Sequence, residues 1–165
     1  MKKAIYAGTF DPITYGHIDV ISRARNIFSQ VVIGVSASAG TKKTLFTQTE
    51  RIALVRAALP GARNIRIRPF STLLVDFARE IKATTIIRGI RAVSDFDYEL
   101  QLALANRKLA PRIETIFLMP SEKYIFISSS LVREIASLDG DVSHLVPPVV
   151  ASALRKKFVR TGRRA

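Results

Sequence analysis

Ten residues near the amino terminus combine a turn, a hydroxyl group and a histidine at the start of a helix. Residues 8–17 follow an apolar run and read Gly-Thr-Phe-Asp-Pro-Ile-Thr-Tyr-Gly-His. Gly8 allows a sharp turn with close approach of a ligand to the backbone, and Thr9 adds a hydroxyl and an amide. Gly16 and His17 open the next helix, whose free amides and dipole attract phosphate. A histidine there can donate to a phosphate oxygen that gains charge during reaction. A lone glycine–histidine pair is more often a turn with a capping residue.

Two arginines later in the chain have a spacing suited to phosphate. Arg88 and Arg91 flank Gly89, and two guanidinium groups placed this way after a strand can clamp phosphate oxygens from two directions. The plainer reading is that one of them pairs with a nearby carboxylate, from Asp95, Asp97 or Glu99. Both readings can hold at once, so the sequence leaves the partner of each arginine open.

A lysine and a run of serines complete the candidate groups. Lys42 is a mobile cation suited to a point contact with phosphate, although a single lysine is more often only solvated. The serines at 128–130 place hydroxyls and free amides at a helix start, which makes a second anion site or a simple N-cap. Glu99 falls inside a helix, from which it can reach a ribose or an arginine. His144 is interpreted as a loop residue.

The apolar pattern predicts five strands alternating with helices. The strands are predicted at residues 3–7, 31–37, 65–69, 85–88 and 113–119. The helices are predicted at 17–28, 47–59 with a capping box at its start, 73–81, 95–109 capped by Asp95, 129–138 and 147–158. This order indicates an α/β fold: a single Rossmann-like domain with a five-stranded parallel sheet and helices on both faces. Because ligands bind beyond the carboxyl ends of such strands, the polar motifs that follow the strands should meet there.

Composition narrows the class of protein. The chain has 165 residues, which suits one domain, and 48% of them are apolar, as in a folded protein. No apolar run is long enough to cross a bilayer, and no secretory signal is evident, so no membrane partner is expected. The lack of cysteine excludes thiolate catalysis and cysteine-bound zinc and fits a cytoplasmic protein.

The formal net charge of +13 predicts an anionic partner. Basic residues cluster only near the carboxyl terminus, from Arg155 onward, and the rest are scattered without interleaved aromatics. We therefore predict a domain at residues 1–158 with a basic solvated tail at 159–165, and we do not expect nucleic acid to be the main partner. The chain also lacks a Walker-type loop and a dinucleotide-binding glycine motif.

Taken together, the motifs resemble those of the bacterial phosphopantetheine adenylyltransferase family. Thr14-Tyr15-Gly16-His17 resembles the T/H-x-G-H signature of the nucleotidyltransferase superfamily. Family-like blocks then follow each later strand: Lys-Lys at 42–43, Phe-Ser-x-Leu-Leu at 70–74, Arg-Gly-Ile-Arg-Ala-Val-Ser-Asp-Phe-Asp-Tyr-Glu at 88–99, and Ile-Ser-Ser-Ser-Leu-Val-Arg-Glu at 127–134. They come in family order and span residues 4 to about 150.

The resemblance implies transfer of the adenylyl group of ATP to 4'-phosphopantetheine, which gives dephospho-coenzyme A and pyrophosphate. It implies catalytic roles for His17, Lys42 and Arg91, with the acceptor held by Thr9, Lys42, Leu74 and Arg88. It implies ATP contacts from Thr9, Phe10, His17, Gly89, Ile90, Arg91, Glu99, Tyr124, Ile125, Phe126, Ile127, Ser128, Ser129 and Ser130. It further implies Mg²⁺ carried mainly by the ATP phosphates with no metal site of the protein's own, a homohexamer, and inhibition by coenzyme A.

Two other functions stay open at this point. The nearer one is another adenylyl- or cytidylyltransferase of the superfamily, for example one acting on nicotinate mononucleotide, because the Gly-His and serine features would be shared. The block at 88–99 separates it from the first reading. The more distant one is a basic RNA-binding protein that uses the carboxyl-terminal arginines.

Overall fold

The computed structural model describes residues 2–37 and 43–161. The centre of the fold is a five-stranded parallel sheet. The strand order is β3-β2-β1-β4-β5, so the order reverses beside β1. The strands are β1 (Lys3–Gly8), β2 (Gln30–Ser36), β3 (Ile65–Phe70), β4 (Thr85–Gly89) and β5 (Glu114–Leu118). This is the predicted Rossmann-like arrangement, in which a ligand site is expected at the reversal point.

Six α-helices connect or follow these strands within the described residues. They are α1 (Tyr15–Ile27), α2 (Gln48–Ala58), α3 (Leu74–Glu80), α4 (Val93–Leu109), α5 (Ser129–Ser137) and α6 (Pro148–Thr161). A 3-10 turn at Glu122–Tyr124 leads from β5 toward α5. None of the helices in these ranges is long and apolar enough to cross a membrane.

Helices cover both faces of the sheet, as predicted. Successive strand residues point to opposite faces, and in β1 the side chain of Tyr6 joins the core that contains Ile21 of α1 and Leu154 of α6. Its neighbour Ile5 joins the other core, with Phe77 of α3. Burial on both faces explains why the central strands are apolar without alternation.

The predicted N-terminal cap is confirmed for α2 and wrong for α4. Thr47 and Glu50 form the predicted capping box of α2. The prediction that Asp95 caps the next long helix is wrong: α4 begins at Val93, and its N-cap Ala92 has no side-chain capping bond. The Asp95 carboxylate instead accepts hydrogen bonds from Arg91. A carboxylate near a helix start can cap the helix or pair with a cation. The carboxylate of Asp95 pairs with the neighbouring Arg91.

Helix ends also differ slightly from the pattern. α1 begins at Tyr15 with Thr14 as N-cap, which places His17 at the third helical position and not the first. α6 continues to Thr161, past the predicted end at residue 158. The division into a domain at 1–158 and a tail at 159–165 stays a prediction.

Candidate active site

A cleft of about 460 Å³ opens where the carboxyl ends of β1 and β4 meet the amino-terminal ends of α1 and α5. Its walls come from segments far apart in sequence, which the parallel sheet brings to one edge. The cleft is lined by Tyr6, Ala7, Gly8, Thr9, Phe10, Thr14, Gly16, His17, Val20, Ser36, Phe70, Leu74, Arg88, Gly89, Arg91, Glu99, Pro120, Ile127, Ser128, Ser129 and Ser130. The polar motifs singled out in the sequence therefore converge on one place.

Most of the predicted site residues line this cleft. They are Thr9, Phe10, His17, Leu74, Arg88, Gly89, Arg91, Glu99, Ile127, Ser128, Ser129 and Ser130. Four others do not line it: Ile90, Tyr124, Ile125 and Phe126. Tyr124 stacks on Tyr15, with ring centroids 5.9 Å apart, and Phe126 is exposed. Lys42 lies outside the described residues. The roles assigned to these five residues stay predictions, as do those of the residues that line the cleft.

The capping geometry of α1 determines which nitrogen of His17 carries the proton. The backbone N–H of Thr14 donates to His17 Nδ1 over 3.1 Å, so Nδ1 is an acceptor. The Thr14 hydroxyl lies 2.9 Å from the same nitrogen. A neutral imidazole that accepts at Nδ1 must carry its proton on Nε2. His17 therefore brings an Nε2–H donor to the cleft, in addition to closing the capping box.

His17 is neutral at physiological pH. Burial of the ring, helped by the positive charge of Arg91, lowers its pKa to about 4. The Phe10 ring packs edge-on against the imidazole, with centroids 5.1 Å apart. A neutral N–H donor suits stabilisation of charge that develops on a phosphate oxygen.

The low pKa of His17 predicts a loss of stability in weak acid. The unfolded chain binds a proton at this histidine near pH 6.5 and the folded protein only near its pKa of about 4. The stability that the protein owes to a neutral His17 is therefore fully present above pH 6.5 and is lost as pH falls toward 4. Between about pH 7 and pH 5 we expect the free energy of unfolding to fall by about 1–2 kcal/mol through this group. Urea unfolding of the wild type and His17→Asn checks it, and equal decreases in both proteins would contradict it.

Arg88 and Glu99 form a two-pronged ion pair in the wall of the cleft. Arg88 Nε and Nη2 each donate to a different carboxylate oxygen of Glu99 over 2.6 Å. Burial opposes the charge of Arg88, but the bonds to Glu99 prevail and raise the Arg88 pKa. A third bond joins Arg88 Nη1 to the carbonyl of Ala7. Of the carboxylates that the sequence left open as partners, Arg88 thus pairs with Glu99. This pair fixes the guanidinium group at the reversal point of the sheet.

Arg91 is tied to the other side of the cleft. It bonds the Asp95 carboxylate through its backbone N–H and through Nε, and its Nη1 donates to the carbonyl of Ile127. Arg91 is more exposed than Arg88, with 40% of its side chain accessible against 22%. An exposed ion pair is weak, so Arg91 can exchange this partner for a bound anion more readily than Arg88 can.

Each of the three serine hydroxyls has a partner within the protein, and that of Ser130 accepts from Arg133 Nη2 over 3.4 Å. Ser128 is the N-cap of α5, and its hydroxyl accepts from the N–H of Leu131. The Ser129 hydroxyl donates to the carbonyl of Pro12 over 2.8 Å. The N-cap reading was therefore correct for Ser128. Residues 128–130 line the cleft, and the free amide groups at a helix start such as this one can bind an anion.

The loop between β1 and α1 has a left-handed backbone at Phe10, where φ is 50°. Such a conformation is unfavourable for a large side chain. The sequence pointed to Gly8 for a sharp turn, and the residue with the left-handed backbone in this loop is Phe10. Side chains from two helices hold the neighbouring carbonyls: Arg51 donates to that of Thr9, and Arg133 to that of Asp11. These bonds keep the strained loop in place at the cleft.

Arg51 is fully buried and joins three segments next to the cleft. Its guanidinium donates to the carbonyls of Thr9, Phe46, Ser36 and Ala37. Burial lowers its pKa, and the Asp11 carboxylate partly opposes this. Asp11 in turn accepts from the N–H groups of Leu45 and Phe46. The two side chains thus join the β1–α1 loop to the described residues on either side of Lys42.

Sequence reasoning missed Tyr6, Ala7, Val20, Ser36 and Pro120 in the cleft lining and Arg51 beneath it. Tyr6 reads as an ordinary core residue of a strand. Arg51 did carry a signal, because it shares the spacing of the buried Leu54 and Val55 and so falls on the apolar face of α2. A charged residue in that position indicates a buried hydrogen-bonding role.

The site brings cationic and neutral donors to one cleft, and its carboxylates are already engaged. Glu99 and Asp95 are paired with arginines. Among residues 2–37 and 43–161, no three His, Asp or Glu side chains lie together in a way that could hold a metal ion. The arrangement suits binding and alignment of two phosphate groups, with His17 stabilising charge that forms between them.

Comparison with known proteins shows the family to which the chain belongs. The family model described as cytidylyltransferase-like matches residues 5–135. The chain is 54% identical over 159 residues to the phosphopantetheine adenylyltransferase of Nitrosomonas eutropha, covering 96% of each chain. It is 52% identical over 157 residues to the protein of that name from Thermodesulfovibrio yellowstonii, covering 95% of this chain and 98% of the relative.

A solved structure shares the fold at much lower identity. It is described as a putative nicotinate-nucleotide adenylyltransferase from Vibrio parahaemolyticus. It superposes with a TM-score of 0.70 at 21% identity over 97% of this chain and 96% of the other. At that identity the likeness concerns the fold alone, and it does not favour nicotinate mononucleotide as the acceptor.

Proposed function

Since this chain belongs to the phosphopantetheine adenylyltransferase family, within the cytidylyltransferase-like group, we propose that it transfers the adenylyl group of ATP to 4'-phosphopantetheine. The products are dephospho-coenzyme A and pyrophosphate, so the reaction is a step of coenzyme A biosynthesis. The observation that carries the proposal is the neutral His17 donor in a cleft shared with Arg88, Arg91 and the start of α5.

The reaction is a direct in-line displacement at the α-phosphorus of ATP. An oxygen of the acceptor phosphate forms the new bond to phosphorus as the bond to the bridging oxygen of the leaving pyrophosphate breaks. The acceptor phosphate is already ionised near neutral pH, so no general base is needed. The Nε2–H of His17 donates to a non-bridging oxygen of the α-phosphate, which gains charge in the transition state.

Alignment of two repelling anions is the main task of the other residues. Arg88 uses three of its N–H groups on Glu99 and Ala7, and of the five that a guanidinium carries two remain. These two donate to the acceptor phosphate, and Thr9, Lys42 and Leu74 complete the acceptor subsite. Arg91 and the amides at 128–130 hold the ATP phosphates. Well-aligned reactants gain up to about 7–11 kcal/mol from such positioning.

ATP contacts are also proposed for Phe10, Gly89, Ile90, Glu99, and residues 124–127. Mg²⁺ fits this donor set as an ion held chiefly by the triphosphate, and when bound it neutralises phosphate charge. Coenzyme A is proposed to compete at the acceptor subsite, and the protein is proposed to work in the cytoplasm.

A homohexamer is proposed as the working assembly. Apolar side chains are exposed along α4, including Tyr98 at 63% and Leu104 at 57%, and these support a contact with another copy of the chain. Sedimentation at micromolar concentration is expected to show a species larger than the monomer. A monomer alone would contradict the assembly and leave the reaction unaffected.

The function is tested by incubating the protein with ATP, Mg²⁺ and 4'-phosphopantetheine. We expect equimolar dephospho-coenzyme A and pyrophosphate by chromatography and a coupled pyrophosphate assay. Nicotinate mononucleotide and pantetheine without its phosphate are the comparison acceptors. Faster turnover with nicotinate mononucleotide would overturn the proposed substrate in favour of the other member of the superfamily.

Lys42→Ala is predicted to raise the KM for 4'-phosphopantetheine by about tenfold or more, because a charged contact to phosphate is lost. The KM for ATP should change much less. Lys43→Ala is the matched control, since it removes the same charge one residue away. Steady-state kinetics with each substrate varied provides the measurement. A raised KM for ATP with an unchanged acceptor KM would reverse the two subsites.

A further inference from the structure

Tyr6 is buried beside the cleft, and no group in the described part of the chain pairs with its hydroxyl. The side chain is 6% exposed and packs edge-on against Phe10, with ring centroids 5.6 Å apart. Among residues 2–37 and 43–161, no group makes a hydrogen bond to the Tyr6 hydroxyl. No side-chain oxygen in these ranges is both sealed from solvent and unpaired. The Tyr6 hydroxyl must therefore reach solvent, and the cleft that this residue lines provides the opening.

The hydroxyl lies beside the groups assigned to phosphate. It is 3.4 Å from the position that a side-chain carbon on Gly89 would occupy. The charges of Arg88 and Arg91 both act on it, and the ring centroid of His17 is 6.5 Å from that of Tyr6. Burial outweighs the two arginines and raises the pKa of Tyr6 to about 12. The hydroxyl thus stays protonated wherever the protein is folded near neutral pH.

We propose that the Tyr6 hydroxyl is a further binding group of this site, which donates a hydrogen bond to a phosphate oxygen of bound ATP between Arg88 and His17. The proposal rests on the proposed function, since it takes ATP as the ligand. In the free protein, water in the cleft can satisfy the hydroxyl. Bound phosphate replaces that water and accepts the hydrogen bond.

Packing alone does not account for a tyrosine at this position. The ring fills the core between β1 and α1, and phenylalanine would fill it equally well. A buried hydroxyl without a partner stabilises nothing in the folded protein and costs free energy wherever water does not reach it. A side-chain carbon at Gly89 would lie in ordinary van der Waals contact with this hydroxyl, 3.4 Å away, and glycine leaves that position empty.

Tyr6→Phe separates a binding role from a structural one. Since the hydroxyl has no partner among the residues that the structure describes, we expect the urea midpoint to stay at the wild-type value. We expect kcat/KM for ATP to fall by about 10- to 100-fold, as for loss of a hydrogen bond to a charged group. Tyr15→Phe is the matched control, because Tyr15 lies on α1 outside the cleft lining, and it should leave both quantities unchanged.

The outcomes distinguish this proposal from the proposed function. A kcat/KM within twofold of wild type, or a lowered urea midpoint that accounts for the lost activity, would overturn the role of Tyr6 and leave the reaction intact. If the wild type forms no dephospho-coenzyme A, the proposed function fails. Calorimetric binding of ATP to wild type and Tyr6→Phe then decides the role of Tyr6 without turnover, with weaker binding to the variant supporting it and equal binding opposing it.

Discussion

His17→Ala is expected to lower turnover by about 10²–10³ while ATP binding stays within about tenfold. The imidazole is neutral, with its pKa lowered to about 4, and its proton is held on Nε2 because Nδ1 accepts from Thr14. Its main contact is therefore with charge that appears in the transition state and is absent from bound ATP. Single-turnover kinetics and calorimetric titration with ATP measure the two quantities separately.

The capping role of His17 requires a control. Its Nδ1 belongs to the capping box of α1, and loss of such a cap costs about 0.5–2 kcal/mol. His17→Asn places an acceptor near the position of Nδ1 and nothing at Nε2. We expect the asparagine variant to recover most of the stability that alanine loses and to remain as inactive. Near-normal turnover in either variant would refute the transition-state role, and recovery of activity along with stability would assign the histidine to capping alone.

Arg51→Met is expected to lower the free energy of unfolding by about 3–5 kcal/mol. Methionine keeps much of the volume, but the carbonyls of Thr9, Phe46, Ser36 and Ala37 lose their donor in a buried position. The Asp11 carboxylate loses a nearby positive charge as well. Urea unfolding at neutral pH measures the change.

Two variants on the same helix show whether this loss is specific to Arg51. Arg56→Met removes an exposed arginine one turn further along α2 and should change stability by at most about 0.5 kcal/mol. Arg51→Lys keeps the charge but not the fork-shaped donor set, so an intermediate loss is expected. A loss in Arg51→Met no larger than that in Arg56→Met would show that the four carbonyl bonds contribute little.

Arg51 is also expected to affect the reaction through the loop it holds. Its bond to Thr9 fixes the backbone next to the left-handed Phe10, whose ring packs against His17. A folded Arg51→Lys protein should therefore bind ATP more weakly than wild type at temperatures where both are fully native. Equal ATP affinity in the two proteins would confine Arg51 to stability.

Local sequence determined much of this protein. Apolar runs and capping residues predicted the strands, their order along the chain and the box at Thr47 and Glu50, because these features involve contacts a few residues apart. The parallel sheet then required the motifs after β1 and β4 to meet at one edge. The family that these motifs resemble was confirmed by relatives 52% and 54% identical over nearly the whole chain.

Only the tertiary structure decided how these groups are paired. Whether Arg88 meets Asp95, Asp97 or Glu99 depends on the angle between β4 and α4, and the answer is Glu99. Tyr6 looks like any core tyrosine until its hydroxyl is found open to the cleft. Arg51 contacts carbonyls up to 42 residues away. Such contacts join distant segments, and the short-range patterns of a sequence specify which residues are buried without specifying which distant group each of them meets.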